Sequence, residues 1–117
     1  DAIDVYGKTK SLGEAKTRYF YNLRSSIIGQ EITSKNSLVE WFKSCKKNKF
    51  IFGFNDHQWN GLSTSVFSEL LFTIIDKKIK IPNLINIIPA DKVNKYILMT
   101  YLKKFFNFKN LKIKKKK

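Results

Sequence analysis

Residues 49–76, KFIFGFNDHQWNGLSTSVFSELLFTIID, place a strand pattern shortly before a helix pattern and so decide the fold class. In residues 49–54, phenylalanine occupies every second position, which is the two-residue period of a β-strand. In residues 64–76, apolar side chains recur three and four positions apart, which is the period of an amphipathic α-helix. The two patterns predict a fold that contains both helices and strands. The inward side of the helix is expected to consist of Val66, Phe67, Leu70, Leu71, Ile74 and Ile75.

The alternation in the predicted strand puts Phe50, Phe52 and Phe54 on one face. We expect this face to be the core side of a sheet, which leaves Ile51 and Gly53 as the outward positions. The alternative is that the three rings are exposed and stack on the bases of single-stranded RNA.

A first helix is predicted upstream, over residues 11–28. Ser11 and Glu14 have the spacing of a capping box, in which each side chain satisfies a backbone N–H group of the other residue. Gly29 suits the left-handed conformation that ends many helices. The apolar stripe of this helix consists of Ala15, Tyr19, Leu23 and Ile27.

The remaining elements follow from similar signals. Residues 37–47 repeat the capping-box spacing and predict a second helix, and Asp91 is a good N-cap for a last helix over residues 92–106. Residues 78–81 alternate between lysine and isoleucine and predict a second short strand, which Pro82 ends. The sequence therefore predicts a mostly helical α+β fold, with about four helices and at most two short strands.

The chain has 117 residues, which is too short for two independent cores of ordinary size. We predict one compact globular domain over residues 1–106 and a lysine-rich C-terminal tail over residues 107–117. Lysine and arginine number 23 against nine acidic residues, so the net charge is +14. Residues 92–117 contain ten lysines and no acidic residue. This charge predicts a polyanionic partner and gives no information about the fold.

From the charge we predict a basic domain that binds nucleic acid through contacts between lysine and phosphate, with salt-dependent affinity. RNA is favoured over DNA because the sequence offers no clear recognition helix, and the protein is expected to be part of a ribonucleoprotein. The residues expected to contact phosphates are Arg18, Arg24, Lys43, Lys46, Lys47, Lys92, Lys95, Lys103, Lys104, Lys109, Lys112, Lys114, Lys115, Lys116 and Lys117.

An alternative is a small ribonuclease or a toxin-type nuclease domain that uses His57, the only histidine, because imidazole transfers protons near neutral pH. The order of a strand, Asp56-His57, a loop with asparagine and a helix resembles the metal-dependent ββα finger nucleases. The second histidine usual in that family is absent, and the following helix offers Glu69 in its place. The candidate catalytic residues are therefore His57, Asp56 and Glu69. The sequence leaves open whether the protein is an enzyme.

A second alternative is a protein-interaction subunit whose basic tail binds an acidic partner. One cysteine, Cys45, excludes an internal disulfide and a site with several cysteine ligands. The sequence has no glycine-rich phosphate loop and no serine-centred nucleophile motif, so we predict neither a cofactor nor a metal. No apolar run approaches the length of a transmembrane helix. No signal peptide is visible, which favours an intracellular or organellar location.

Overall fold

The computed structural model describes residues 4–15 and 17–117. Its helices are α1 Val5–Leu12, α2 Leu38–Ser44, α3 Thr64–Asp76 and α4 Lys95–Phe105, and α2 continues into a 3₁₀ turn over Cys45–Lys47. Its strands are β1 Asn22–Arg24, β2 Ile27–Ile28, β3 Phe50–Phe54, β4 Gln58–Trp59, β5 Leu62–Ser63, β6 Leu84–Asn86, β7 Val93–Asn94 and β8 Lys112–Lys116.

The strands pair into four two-stranded ladders. The pairs β1–β6, β2–β5 and β3–β8 are parallel, and the pair β4–β7 is antiparallel. Each parallel pair joins strands that lie far apart in the sequence, because parallel strands need a long crossover connection. The ladders therefore join distant parts of the described chain, and the β3–β8 ladder joins its C-terminal end to its middle.

The core lies between α2, β3, α4 and the residues that precede β8. Phe42 is fully buried, and its ring stacks on those of Phe106 and Phe108 with centroids 6.3 and 5.6 Å away. At Gly53 a Cβ atom would lie 2.6 Å from the Cα of Tyr96, so the absence of a side chain lets β3 approach α4 closely. The buried cluster consists of Phe42, Cys45, Ile51, Leu98, Met99 and Leu111.

The predicted fold class, mostly helical with at most two strands, is wrong. Within residues 4–15 and 17–117 the chain forms eight short strands beside four helices. Most of these strands have two or three residues, which is too short for alternation to appear in the sequence. Their pairing depends on partners that are distant in the chain, and no local pattern reports such partners.

The predicted helix over residues 11–28 is also wrong. The helix instead ends at Leu12, and the Asn22 side chain holds the backbone of Ala15 through hydrogen bonds of 3.1 Å to its N–H and 2.8 Å to its C=O. Asn22 begins β1, which pairs with β6. The Glu14 carboxylate binds Arg24 and does not cap a helix. Tertiary pairing therefore overrides the helical period of this segment.

The second and third predicted helices are confirmed. The Ser37 hydroxyl caps α2 by accepting a hydrogen bond of 3.3 Å from the backbone N–H of Glu40. The helix α3 spans Thr64–Asp76, as the apolar period predicts. The predicted inward side of α3 is only partly correct, because Val66 and Ile75 are exposed.

The strand predicted over residues 78–81 does not form. Lys78 adopts a left-handed conformation with φ 49°, and the N–H of Ile79 donates a 2.9 Å hydrogen bond to the C=O of Ile74, which ends α3. The last helix is confirmed with a later start. Its N-cap is Asn94, whose side chain accepts a 2.9 Å hydrogen bond from Ile97, because the residues between Asp91 and α4 pair with β4.

The expected orientation of β3 is wrong. Ile51 and Gly53 are buried against α4, whereas Phe50 and Phe52 are 43% and 47% exposed. Within the predicted basic tail, Lys112–Lys116 forms β8. This strand pairs in register with all five residues of β3.

Among the described residues, no helix has the length and apolar character to cross a bilayer, which confirms the prediction that the chain has no transmembrane segment.

Candidate active site

An open cleft of about 980 Å³ lies between α1 and β1. Polar side chains line it from both elements and from the loop that joins them. Its size lies within the range of pockets that hold small organic ligands. The lining side chains that carry reactive or charged groups are Tyr6, Lys10, Glu14, Tyr21 and Arg24.

The helix α1 supplies a phenol and an ammonium group one turn apart. Asp4 caps the helix, since its carboxylate accepts a 2.7 Å hydrogen bond from the N–H of Gly7. Tyr6 and Lys10 are four residues apart and so project from one side of the helix. The Lys10 Nζ lies 5.6 Å from the centre of the Tyr6 ring, and the ring is 73% exposed. Both groups are therefore accessible to a ligand in the cleft.

An ion pair joins the loop after α1 to β1. Both guanidinium contacts of Arg24 go to the Glu14 carboxylate, and the Nη2–Oε2 distance is 2.7 Å. Hydrogen bonding to Glu14 and the charge of its carboxylate raise the pKa of Arg24. A bidentate pair fixes orientation as well as distance, so the wall of the cleft at β1 has a defined position relative to α1.

Two asparagines hold the loop between α1 and β1. Besides the contacts of Asn22 with Ala15, the Asn83 side chain donates hydrogen bonds to the C=O groups of Thr17 at 3.1 Å and Phe20 at 2.9 Å. The N–H of Asn22 also donates to the C=O of Asn83 at 2.7 Å. The loop is thereby attached to the start of β6, and the floor of the cleft is organised by contacts between distant parts of the chain.

This arrangement has a definite chemical capacity. A tyrosine hydroxyl can donate a proton to an oxygen atom that gains negative charge, and a neighbouring cation stabilises the phenolate that remains. Tyr6 presents a hydroxyl group and Lys10 an ammonium group to a cleft large enough for an organic substrate.

The predicted catalytic residues do not assemble into a site. His57 and Asp56 lie in the exposed loop before β4, and Glu69 is exposed on α3. The His57 ring packs against Phe54, with centroids 4.8 Å apart. Over the described ranges, no hydrogen bond or ion pair joins these three side chains, and no group of three His, Cys, Asp or Glu residues could hold a metal.

The predicted phosphate-binding residues are spread over the described part of the chain. Arg24 lies in the cleft, Arg18 stacks beside Tyr19, and Lys43 pairs with Glu40 at 3.0 Å. Lys92, Lys95, Lys103 and Lys104 lie on α4 or beside it, and Lys46 and Lys47 lie in the turn after α2. Lys109 lies in the turn after α4, Lys112, Lys114, Lys115 and Lys116 form most of β8, and Lys117 follows it.

The sequence-based interpretation missed Tyr6 and Lys10, because it treated the first ten residues only as a possible signal peptide. A local signal was nevertheless present. Asp4 is a good N-cap, and a tyrosine and a lysine follow it one helical turn apart. The pairing of Glu14 with Arg24 had no comparable signal, since it depends on the chain reversing between α1 and β1.

Comparison with known proteins shows the fold. No family model and no curated protein matches the chain. A dTDP-4-dehydrorhamnose reductase from Clostridium acetobutylicum has a similar structure, with a TM-score of 0.75 and 18% identity over 99% of this chain and 42% of the reductase chain. A dTDP-4-dehydrorhamnose reductase from Yersinia enterocolitica gives a TM-score of 0.61 and 14% identity over 78% of this chain and 32% of its own. The chain thus spans less than half the length of either reductase.

These similarities correct the predicted function. The described residues share their fold with part of two dTDP-4-dehydrorhamnose reductases, so the predictions of an RNA-binding domain, a ribonucleoprotein component and a nuclease are wrong. The acidic protein partner is not supported either. The error arose because net charge limits the class of partner and is compatible with almost any fold.

Proposed function

We propose that this chain is the substrate-binding and proton-donating part of a reductase that acts on the carbonyl group of a nucleotide-linked sugar. The observation that carries the proposal is the pair of Tyr6 and Lys10, one helical turn apart on the wall of the cleft. The resemblance to two dTDP-4-dehydrorhamnose reductases supports the choice of a sugar nucleotide as the substrate class.

The reduction of a ketone places a hydride on carbon and a proton on oxygen. We assign the proton to the hydroxyl of Tyr6, which is exposed at the cleft. Lys10 stabilises the phenolate that is left after proton transfer, because its ammonium group lies close to the ring. Glu14 and Arg24 hold β1 against the end of α1, so they keep the substrate beside the donor.

The hydride donor of such a reductase is of the nicotinamide class. A dinucleotide needs a glycine-rich turn whose backbone can approach its pyrophosphate, and this sequence has none. The residues present therefore do not fit the cofactor by themselves. We assign to this chain only the binding of the sugar nucleotide, the proton donation by Tyr6 and the organisation of the cleft.

The proposal is tested by titrating the 117-residue chain with dTDP-glucose and recording backbone amide shifts by NMR. We expect the largest changes in α1 and β1. Because the Lys10 ammonium group also lines the cleft and the ligand carries a negatively charged diphosphate, we expect weaker binding by Lys10→Met than by the matched control Lys77→Met, which alters an exposed lysine after α3. Changes confined to α3 or to the β3–β8 ladder, or equal binding by both variants, would contradict the proposal.

A further inference from the structure

We propose that the outer face of the β3–β8 ladder binds the surface of an anionic phospholipid bilayer. This inference goes beyond the proposed reductase function and does not depend on it. It rests on five side chains that we call the aromatic–lysine face, namely Phe50, Phe52, Lys112, Lys114 and Lys116.

The pairing of β3 with β8 creates this face. The parallel register sets Phe50 beside Lys112 and Phe52 beside Lys114. Because side chains alternate along a strand, Ile51 and its partner Ile113 point to the opposite side, where α4 packs. On the other side of the ladder, Trp41 lies beside Phe52, and Phe50 and Phe52 remain nearly half exposed.

The ammonium groups of this face lie directly against the rings. The Lys114 Nζ is 3.8 Å from the centre of the Phe50 ring, and the Lys116 Nζ is 5.4 Å from that of Phe52. No carboxylate neutralises them, because the described ion pairs are Arg24–Glu14 and Lys43–Glu40 and residues 92–117 contain no acidic residue. The face therefore combines uncompensated positive charge with exposed apolar area.

An anionic bilayer interface suits this combination better than a second copy of the chain or a single-stranded RNA does. At such an interface the rings leave water at the acyl boundary, while lysine stems keep their ammonium groups at the phosphate level. A second copy of the chain would bring lysine against lysine. Stacking of successive bases needs roughly parallel ring faces, but the Phe50 and Phe52 rings meet edge to face at 77°.

Trp41 extends the apolar part of the surface and offers a reporter. It is 45% exposed and lines a hollow of about 180 Å³ together with Phe52 and Phe54. The other tryptophan, Trp59, donates a 2.8 Å hydrogen bond to Ser26 and packs against the core cluster. A Trp59→Phe background therefore leaves Trp41 as the only tryptophan, placed beside the aromatic–lysine face.

The first experiment measures co-sedimentation of the full chain with vesicles of phosphatidylcholine alone or of equal parts phosphatidylcholine and phosphatidylglycerol. We expect binding to the anionic vesicles only, and weaker binding at higher salt. Lys114→Gln with Lys116→Gln should reduce partitioning by about fivefold per lysine. The matched control, Lys35→Gln with Lys77→Gln, removes the same charge from other exposed positions and should bind more tightly than the Lys114/Lys116 variant.

The second experiment tests the apolar contribution. In the Trp59→Phe background, lipids with brominated acyl chains should quench Trp41 fluorescence in anionic vesicles. Phe50→Ser with Phe52→Ser should weaken both quenching and sedimentation, whereas Phe72→Ser, an exposed phenylalanine on α3, should not. Circular dichroism checks that each variant is folded, and the lysine variants provide a separate test that leaves the rings in place.

Several outcomes would overturn the proposal. These are equal binding to neutral and anionic vesicles, no binding to anionic vesicles at low salt, and equal losses in the Lys114/Lys116 variant and its control. Single-stranded RNA that binds through the same lysines while vesicles do not would assign the face to nucleic acid. Self-association that the Phe50/Phe52 variant abolishes, without vesicle binding, would assign it to a second copy.

Discussion

At the scale of single residues, the proposed chemistry depends on the hydroxyl group of Tyr6. Tyr6→Phe removes this group and keeps the ring beside Lys10. Because the proton donor is lost, we expect kcat for reduction of dTDP-4-dehydrorhamnose, measured with a nicotinamide-binding domain of a reductase supplied in trans, to fall by about 100-fold or more, with little change in KM. Consumption of the reduced nicotinamide measures the rate. Tyr101→Phe, an exposed tyrosine on α4, is the control, and an unchanged kcat in Tyr6→Phe would exclude Tyr6 as the donor.

Gly53 matters for packing and not for chemistry. A Cβ atom there would meet the Cα of Tyr96 at 2.6 Å, and backbone cannot move aside as the end of a flexible side chain can. Gly53→Ala should therefore lower the free energy of unfolding by about 1–3 kcal/mol. Urea unfolding followed by circular dichroism measures the change.

The matched control for this packing argument is Gly13→Ala. A Cβ atom at Gly13 would make ordinary contacts with the C=O oxygen atoms of Lys10, at 3.4 Å, and Thr9, at 3.7 Å, and the backbone there has φ −74°, which alanine adopts readily. We expect Gly13→Ala to leave the stability unchanged or slightly higher, because alanine restricts the unfolded chain. Equal losses in both variants would mean that the approach of β3 to α4 is not what Gly53 protects.

At the scale of elements, Glu31 organises the loop that leads into α2. Its carboxylate accepts a 2.8 Å hydrogen bond from the N–H of Asn36. A hydrogen bond from the Ser34 side chain, with others from the backbone of Ser37 and Asn36, lowers the pKa of Glu31 below its ordinary value of 4.5. The folded state therefore favours the ionised carboxylate, which stabilises the start of α2.

The sign of this pKa shift gives a pH-dependent prediction. Ionised Glu31 stabilises the fold above about pH 4.5. This contribution is lost as the pH falls through the lowered pKa that Glu31 has in the folded state. Glu31→Gln should be less stable than the native chain at neutral pH, and the difference should shrink in acid. Urea unfolding at a series of pH values measures it, with Glu69→Gln on α3 as the control. A difference that stays constant with pH would contradict the assignment.

The elements also show what local sequence can and cannot predict. The sequence indicated α2 from its capping-box spacing and apolar face and α3 from its apolar period, and both signals lie within or directly beside the helix. It misplaced residues 11–28 because the capping-box spacing of Ser11 and Glu14 occurs there without a helix, and the pairing of β1 with β6 prevails. Short strands carry almost no periodic signal, so only their distant partners define them.

The candidate site also combines a local feature, which the sequence displays, with a non-local contact, which it does not. The spacing of Tyr6 and Lys10 is a local feature that the amino-acid sequence itself displays, because both residues lie on one side of α1. The contact between Glu14 and Arg24 is not local, since it forms across a loop that Asn22 and Asn83 hold in place. Sequence patterns can therefore identify the spacing of Tyr6 and Lys10, but they cannot identify the cleft that these residues line.

At the scale of the whole molecule, the fold is extended and its core is small. The radius of gyration is 17.0 Å, compared with about 13 Å for a compact domain of this length. Neither α1 nor α3 contributes a buried residue, so the side of the molecule that bears the cleft has little core of its own. Stability is concentrated around α2, β3, α4 and the approach to β8.

This concentration predicts that the residues after α4 contribute to the stability of the fold. Leu111 is fully buried in the core cluster and directly precedes β8, the strand that pairs with β3. Leu111→Ala should lower the free energy of unfolding by about 2–5 kcal/mol, because it leaves a cavity where α4 and β3 meet. The control is Leu12→Ala, which alters an exposed leucine at the end of α1 and should change stability by no more than about 0.5 kcal/mol. Urea unfolding compares the two variants, and similar small changes in both would mean that residues after α4 do not belong to the core.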